Sequence, residues 1–195
     1  MASKLEPQLT IADLEALPDD DGNRYELIEG ELYVSRAPGL THQYVSDNIV
    51  YLIRSYLAEH PVGIVVSTIG VILSNFNGVI PDIVFFRHED YDRLVSKERL
   101  YGAPEIVIEI LSPGAENTRR DRVAKLKLYE KYKVKEYWMV DLEQQSIEIY
   151  LLSESMLRLA KTLRGEDQLT TIALAGFSCT ANQIFALPPA LNSSN

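Results

Sequence analysis

Apolar residues recur along the chain with two different periods, and the changes of period mark the predicted elements. Thr10 with Asp13 three residues later forms a capping box that predicts a short helix over 11–17, ended by Pro18. The period then becomes two: Tyr25-Glu26-Leu27-Ile28 and Glu31-Leu32-Tyr33-Val34 flank Glu29-Gly30, a two-residue hairpin signal. After Pro38-Gly39 the residues Tyr44, Val45, Ile49, Leu52, Ile53, Tyr56 and Leu57 follow helical spacing until Pro61. Strands are predicted over 62–67, 70–73, 80–86 and 105–111, with Asn75-Phe76-Asn77-Gly78 as a turn. Residues 118–133 return to helical spacing, and 136–140 with 146–152 form a second hairpin. Further strands are expected over 157–163 and 169–174, a terminal helix over 181–186, and a loose tail from 188. No internal repeat is present, so the pattern predicts one α+β domain over 1–195 with its core at 10–180.

Composition bounds the function. Hydrophobic residues make up 46% of the 195 and charged ones 24%, a globular balance. No run approaches the roughly 18 to 20 apolar residues that cross a bilayer, and the start lacks a basic segment followed by an apolar one, so no membrane and a cytoplasmic location are expected. A single cysteine, Cys179, excludes an internal disulfide and a thiolate zinc site. No Gly-x-x-x-x-Gly-Lys-Ser/Thr, Gly-x-Gly-x-x-Gly or His-Glu-x-x-His run occurs, which removes support for nucleotide triphosphatase, dinucleotide-binding and zinc protease chemistry. In Asp19-Asp20-Asp21-Gly22 a calcium loop fails, because Gly22 as its sixth position puts Leu17 first and Ile28 last. The net charge of -9 opposes phosphate binding on average, yet 117–135 holds eight basic residues against Asp121 and Glu130. A solvated helix face is the plain explanation for most of them.

Three charges stand where the pattern predicts burial. Glu109 interrupts the apolar run Ile106-Val107-Ile108-Glu109-Ile110-Leu111, which has the look of a strand covered on both faces. Asp82 follows Pro81 and shares a face with Val84 and Phe86, although a Pro-Asp pair also simply opens strands. Lys125 falls between Leu128, Tyr129 and Tyr132 on the helical wheel, where it either meets a buried anion or snorkels to water. Two carboxylates on neighbouring strand ends suit Mg²⁺ or Mn²⁺, and a nearby lysine suits phosphodiester chemistry.

The segments Arg24-Tyr25-Glu26-Leu27-Ile28-Glu29-Gly30-Glu31-Leu32, Ile80-Pro81-Asp82, Glu109-Ile110-Leu111-Ser112-Pro113, Asp121-Arg122-Val123-Ala124-Lys125-Leu126 and Glu136-Tyr137-Trp138-Met139-Val140-Asp141 resemble a large bacterial family of restriction-endonuclease-like proteins. That family belongs to the PD-(D/E)XK nuclease superfamily, and the resemblance spans 10–180. It implies a mixed β-sheet flanked by helices, Asp82 and Glu109 as metal ligands and the Ile110 carbonyl as a third. The superfamily lysine belongs two residues after the second acid, where this chain has Leu111; the resemblance supplies it as Lys125 from the following helix. Glu26 and His42 match positions that line the same site.

The resulting expectation is a Mg²⁺- or Mn²⁺-dependent endonuclease acting on DNA. Its catalytic set is Asp82, Glu109, Lys125 and Glu26, and its basic helix would meet backbone phosphates. A homodimer is expected from the resemblance. Two other readings compete: a non-catalytic dimeric binding module on the same fold, and a metal-dependent phosphohydrolase of a small substrate.

Overall fold

The computed structural model describes residues 8–18, 22–111 and 120–192. In chain order the elements are α1 (Ile11–Glu15), β1 (Asn23–Ile28), β2 (Glu31–Arg36), α2 (Leu40–Glu59), β3 (Gly63–Ser67), β4 (Val71–Ser74), β5 (Asn77–Val79) and β6 (Ile83–Arg87). They continue with α3 (Tyr91–Leu94), β7 (Val95–Ser96), β8 (Arg99–Tyr101), β9 (Ile106–Ile110), a π-helical turn (Arg120–Lys125), α4 (Leu126–Lys131) and β10 (Glu136–Asp141). β11 (Ser146–Ser153), β12 (Met156–Leu163), β13 (Gln168–Thr170), β14 (Ser178–Thr180), α5 (Ala181–Phe185) and α6 (Pro189–Asn192) complete the described chain.

The strands form two mixed sheets of six, ordered β2-β1-β5-β4-β8-β7 and β12-β11-β10-β9-β6-β3, plus the small pair β13-β14. In the second sheet β9 runs parallel to β10 and antiparallel to β6, which makes it an interior strand. Its alternation explains the unbroken apolar run. Ile106, Ile108 and Ile110 pack with Val45, Ile49 and Ile53 of α2 in one core. Val107 and Leu111 pack with Ile28, Val71 and Val79 of the first sheet in another. Glu109 takes the face of Val107, opposite Met139 in register, and so lies between the two sheets.

Local chemistry accounts for the short elements. The β1–β2 hairpin closes on Ile28 and Glu31, with Glu29 (φ 53°) and Gly30 (φ 78°) both left-handed, the primed turn that matches strand twist. A Cβ on Gly78 would meet Ile11 Cδ1 at 2.6 Å, so glycine is what lets α1 lie against the first sheet.

Several boundaries differ from the sequence reading. The turn is confined to Asn75-Phe76, and Asn77-Gly78 begin β5, because the Asn77 side chain replaces backbone partners: Oδ1 accepts from Glu29 N–H at 2.8 Å and Nδ2 donates to Ser74 Oγ. β6 starts at Ile83, not at 80, since the Ile80 N–H is drawn off to Glu26 and Pro81 has none to offer. β7, β8 and β14, two or three residues each, are too short for periodicity to reveal. The strand expected over 169–174 stops at Thr170, whose chain then turns so that Ala173 and Leu174 enter the α2 core. Asp19-Asp20-Asp21 lies outside the described residues. Among those described, no helix is long and apolar enough to cross a membrane.

Candidate active site

Around Glu109 on β9 the polar side chains of Glu26, Asp82, Lys125 and Tyr129 gather from neighbouring elements, Lys125 and Tyr129 in direct contact with it. Asp82, just before β6, extends the ladder beyond the last backbone pair, Ile83 with Ile108. Its Oδ2 accepts the Ile110 N–H at 2.8 Å. Glu26 on β1 faces inward, and its Oε1 accepts the Ile80 N–H at 2.8 Å. Lys125 closes the π-helical turn with only 2% of its surface exposed; its Nζ lies 2.9 Å from Glu109 Oε1 and 3.0 Å from Glu26 Oε1. Tyr129, one helical turn further on, donates its hydroxyl to the same Glu109 Oε1 at 2.6 Å.

His42, in the first turn of α2, reaches the cluster from the opposite face of the sheet. Its Nε2 lies 3.2 Å from Asp82 Oδ2 and 3.1 Å from the Ile110 carbonyl oxygen. Two acceptors around one ring nitrogen require Nε2 to carry the hydrogen, while the buried Nδ1 has no hydrogen-bond partner. Arg24, two residues before Glu26 on the same strand face, brings Nη1 to 3.5 Å from Asp82 Oδ1.

The electrostatics favour an ionised Asp82 held by fixed donors. Burial alone pushes the Asp82 carboxyl up, but the hydrogen bond and charge of His42, the Ile110 N–H and the Lys125 charge outweigh it and hold it below the usual carboxylate value. Burial, followed by the Glu109 charge, pushes the Tyr129 phenol well above its usual value, so Tyr129 remains a donor. Removing Glu26, Asp82, Glu109 and Lys125 from water costs several kcal/mol per ion before their mutual attraction is counted, on the order that apolar replacements often recover. Buried charges gathered in one place, with a lowered carboxyl and a raised phenol among them, are the arrangement expected of a functional site.

All six residues that the sequence nominated, Glu26, His42, Asp82, Glu109, Ile110 and Lys125, therefore lie within one connected cluster. Burial of Lys125 removes the snorkelling alternative. Tyr129 and Arg24 join the cluster without being among the residues the sequence nominates; Tyr129 stands four residues after Lys125 on one helix face, which is the signal that locates it. Among the described residues of the basic segment, Arg122, Lys125, Lys131 and Lys135 are spent on carboxylates. Arg122 binds Glu148 at 2.9 and 3.0 Å and Asp141 at 3.0 Å, Lys131 binds Glu29 at 2.9 Å, and Lys135 binds Glu105 at 3.0 Å. Ser112, Pro113 and Arg119 lie outside the described residues.

Residues 11–182 match the Uma2 family model, described as "Putative restriction endonuclease". The chain belongs to this family. Among solved structures, a protein of Anabaena variabilis ATCC 29413 described as "a putative nuclease belonging to DUF820" superposes with a TM-score of 0.71 at 17% identity, over 91% of this chain and 97% of that one. At that identity the likeness shows the fold alone. No curated protein sequence matches the chain significantly.

Nucleases commonly use a divalent cation, and the Uma2 cluster can be tested for one. Asp82 Oδ2 and the Ile110 carbonyl oxygen both lie within 3.2 Å of His42 Nε2 and share its hydrogen, so a cation held by these two oxygens would take the place of that hydrogen. Glu109 adds a second carboxylate on the adjoining residue, with Oε1 already held by Lys125 and Tyr129. Among the described residues, no three His, Cys, Asp or Glu side chains stand together as an ion site. The donors fit Mg²⁺ or Mn²⁺, which typically take one or two carboxylates and complete their shell from water and substrate oxygens.

Proposed function

We propose that this Uma2 protein is a metal-dependent endonuclease that hydrolyses phosphodiester bonds in DNA. The observation that carries this reading is the fully buried Lys125 ammonium between Glu26 and Glu109, beside the Asp82 carboxylate and the Ile110 carbonyl, which both meet His42 Nε2. Asp82, Glu109 and the Ile110 carbonyl would hold Mg²⁺ or Mn²⁺, which when bound polarises a phosphoryl oxygen and acidifies its water. Lys125 neutralises charge that builds on the phosphorane-like transition state and orients the attacking water. Glu26, fixed by the Ile80 N–H, aims Lys125, and Tyr129 fixes Glu109. The chain acts as a single domain, and a homodimer would place two such sites on opposite strands.

A phosphohydrolase of a small substrate is the second reading. It is favoured by the net charge of -9 and by the carboxylate partners of Arg122, Lys131 and Lys135, which leave less positive charge for a polymer backbone.

Cleavage of supercoiled and single-stranded DNA with Mg²⁺ or Mn²⁺ at low salt tests the proposal, comparing wild type, Asp82→Ala and EDTA-treated protein. Metal-dependent nicking by wild type, lost in the other two, is expected. Mn²⁺ should also raise the melting temperature of wild type and much less that of Asp82→Ala. Equal shifts remove the cation assignment, and turnover of small phosphoesters without any DNA cutting favours the second reading.

A further inference from the structure

Helix α2 is buried along one side only. Val45, Ile49 and Ile53 pack on the second sheet, while the opposite side of this 20-residue helix, about 30 Å long, is exposed from end to end. Along that side Leu40, Tyr44, Asp47, Tyr51, Arg54 and Ala58 follow one another in alternating steps of four and three residues, and all six are exposed. This is the spacing of a helix seam, and it holds the six within about 80° on the helical wheel. Leu40 is 67% exposed and Tyr51 70%. Exposed apolar residues are ordinary when scattered; here they line up directly opposite the buried face.

The charges in the stripe decide what covers it. Asp47 and Arg54 stand one heptad apart, and neither is ion-paired with another of the described side chains. A second copy of α2 laid parallel would set Asp47 on the partner's Asp47 and Arg54 on the partner's Arg54, two like-charge contacts. Laid antiparallel about a twofold axis level with Ile49, it sets Leu40 on the partner's Ala58, Tyr44 against the partner's Arg54 and Asp47 beside the partner's Tyr51. Those contacts join apolar with apolar, ring with guanidinium, and carboxylate with phenol. The same axis leaves Asp47 one step along the stripe from the partner's Arg54, within reach of that long side chain. Every residue of the stripe meets a complement, and each contact occurs twice, as an isologous interface requires. The stripe is also neutral as a whole on a chain of net charge -9, so two copies can meet there without adding to their mutual repulsion.

We infer that this face of α2 is an interaction surface for a second copy of the chain, the two helices pairing antiparallel. The inference does not rest on the nuclease reading. No residue of the stripe belongs to the carboxylate cluster, and His42, the α2 residue that does, is buried on the other side of the helix. Each protomer therefore keeps a complete cluster.

Sedimentation equilibrium over about a hundredfold range of protein concentration measures the association by mass action. Wild type should approach twice the chain's mass. Arg54→Asp and Asp47→Arg, each at an exposed helix position, should raise the dissociation constant at least about tenfold by placing like charges together, while circular dichroism shows an unchanged fold. Mixed with one another, the two variants should regain the dimer, because an acidic stripe then meets a basic one. Leu40→Cys combined with Ala58→Cys should give a disulfide-linked dimer under mild oxidation. Leu40→Cys alone should not, since the two copies of that position lie about 27 Å apart along an antiparallel pair. Cys179 is buried and takes no part.

Wild type that stays monomeric at every concentration overturns the inference, whatever else covers the stripe. A dimer that both charge reversals leave intact overturns the surface, and cross-linking through Leu40→Cys alone overturns the antiparallel pairing. The two readings fail separately. A dimer that cuts no DNA loses only the nuclease, and a monomer that nicks DNA loses only the α2 interface.

Discussion

Strand β9 has a buried glutamate at each end, and the two are held in opposite ways. Glu105, just before the strand, faces Lys135, whose side chain is 66% exposed, and Arg87, whose Nε lies 2.7 Å from Oε2 but off the hydrogen-bonding line. Its cations reach water, and the contact ties the strand end to neighbouring elements. Glu109, four residues on, faces Lys125 and the Glu26 carboxylate, both almost completely buried. Burial of a carboxylate is thus common to both ends and identifies neither as functional. What separates them is the burial of the cation. A buried ammonium cannot be screened by solvent and must be balanced by the cluster itself, at a cost that a purely structural cross-link avoids.

The largest effect should come from removing each lysine in turn. Lys125→Met leaves Glu26 and Glu109 facing one another without a counter-charge, and a loss of about 3 to 5 kcal/mol is expected from breaking a buried pair. Lys135→Met should cost less than about 1 kcal/mol, since its charge is largely solvated. Urea denaturation at neutral pH measures both. Adding Glu109→Gln to Lys125→Met should recover part of the loss, because the stranded charge is then gone. Equal losses from the two lysines would erase the distinction between the strand ends.

That distinction was only half legible in the sequence. Glu109 stood out because it breaks an apolar run, and Lys125 because the wheel placed it among Leu128, Tyr129 and Tyr132. Glu105 and Glu136 are just as buried, yet at strand starts they look like ordinary boundary residues. Glu136 is satisfied by neutral donors, Trp138 Nε1 and Thr171 Oγ1, and Thr171 is 35 residues away. The long elements were readable because α2 repeats its apolar face over 20 residues. Strands of two or three residues carry no period. Neither the convergence of Glu26 with Lys125 nor the pairing of Arg122 with Asp141 and Glu148 can be read from spacing, since each joins separate elements.

Tyr129 gives a smaller and sharper probe of the Glu109 end. Tyr129→Phe deletes the 2.6 Å hydrogen bond to a charged acceptor, worth about 1.5 to 3 kcal/mol. It should also change the alkaline limb. The native phenol is held above its ordinary value of about 10, so above that pH the unfolded chain releases a proton that the native chain keeps. The contribution of Tyr129 to stability is complete below about pH 10 and is lost as pH rises towards the native value. Stability measured at pH 8 and pH 10.5 should fall less steeply in Tyr129→Phe than in wild type. Parallel slopes would place the Tyr129 hydroxyl in contact with water.

The smallest effect concerns Asp82, the carboxylate that joins the Ile110 backbone to His42. Despite the opposing effect of burial, His42, the Ile110 N–H and Lys125 hold its carboxyl below the ordinary value of about 3.9. The unfolded chain therefore takes up a proton at a pH where native Asp82 remains ionised. Its contribution to stability is present above about pH 4 and is lost as pH falls through the native value. Asp82→Asn keeps the shape and the acceptor for Ile110 N–H but has no proton to gain, so its acid limb should be shallower than that of wild type between pH 4 and pH 2. Acid limbs that coincide would mean that His42 and Ile110 position the Asp82 side chain without favouring its charge. The charge balance at this end of β9 would then rest on Lys125 and Arg24.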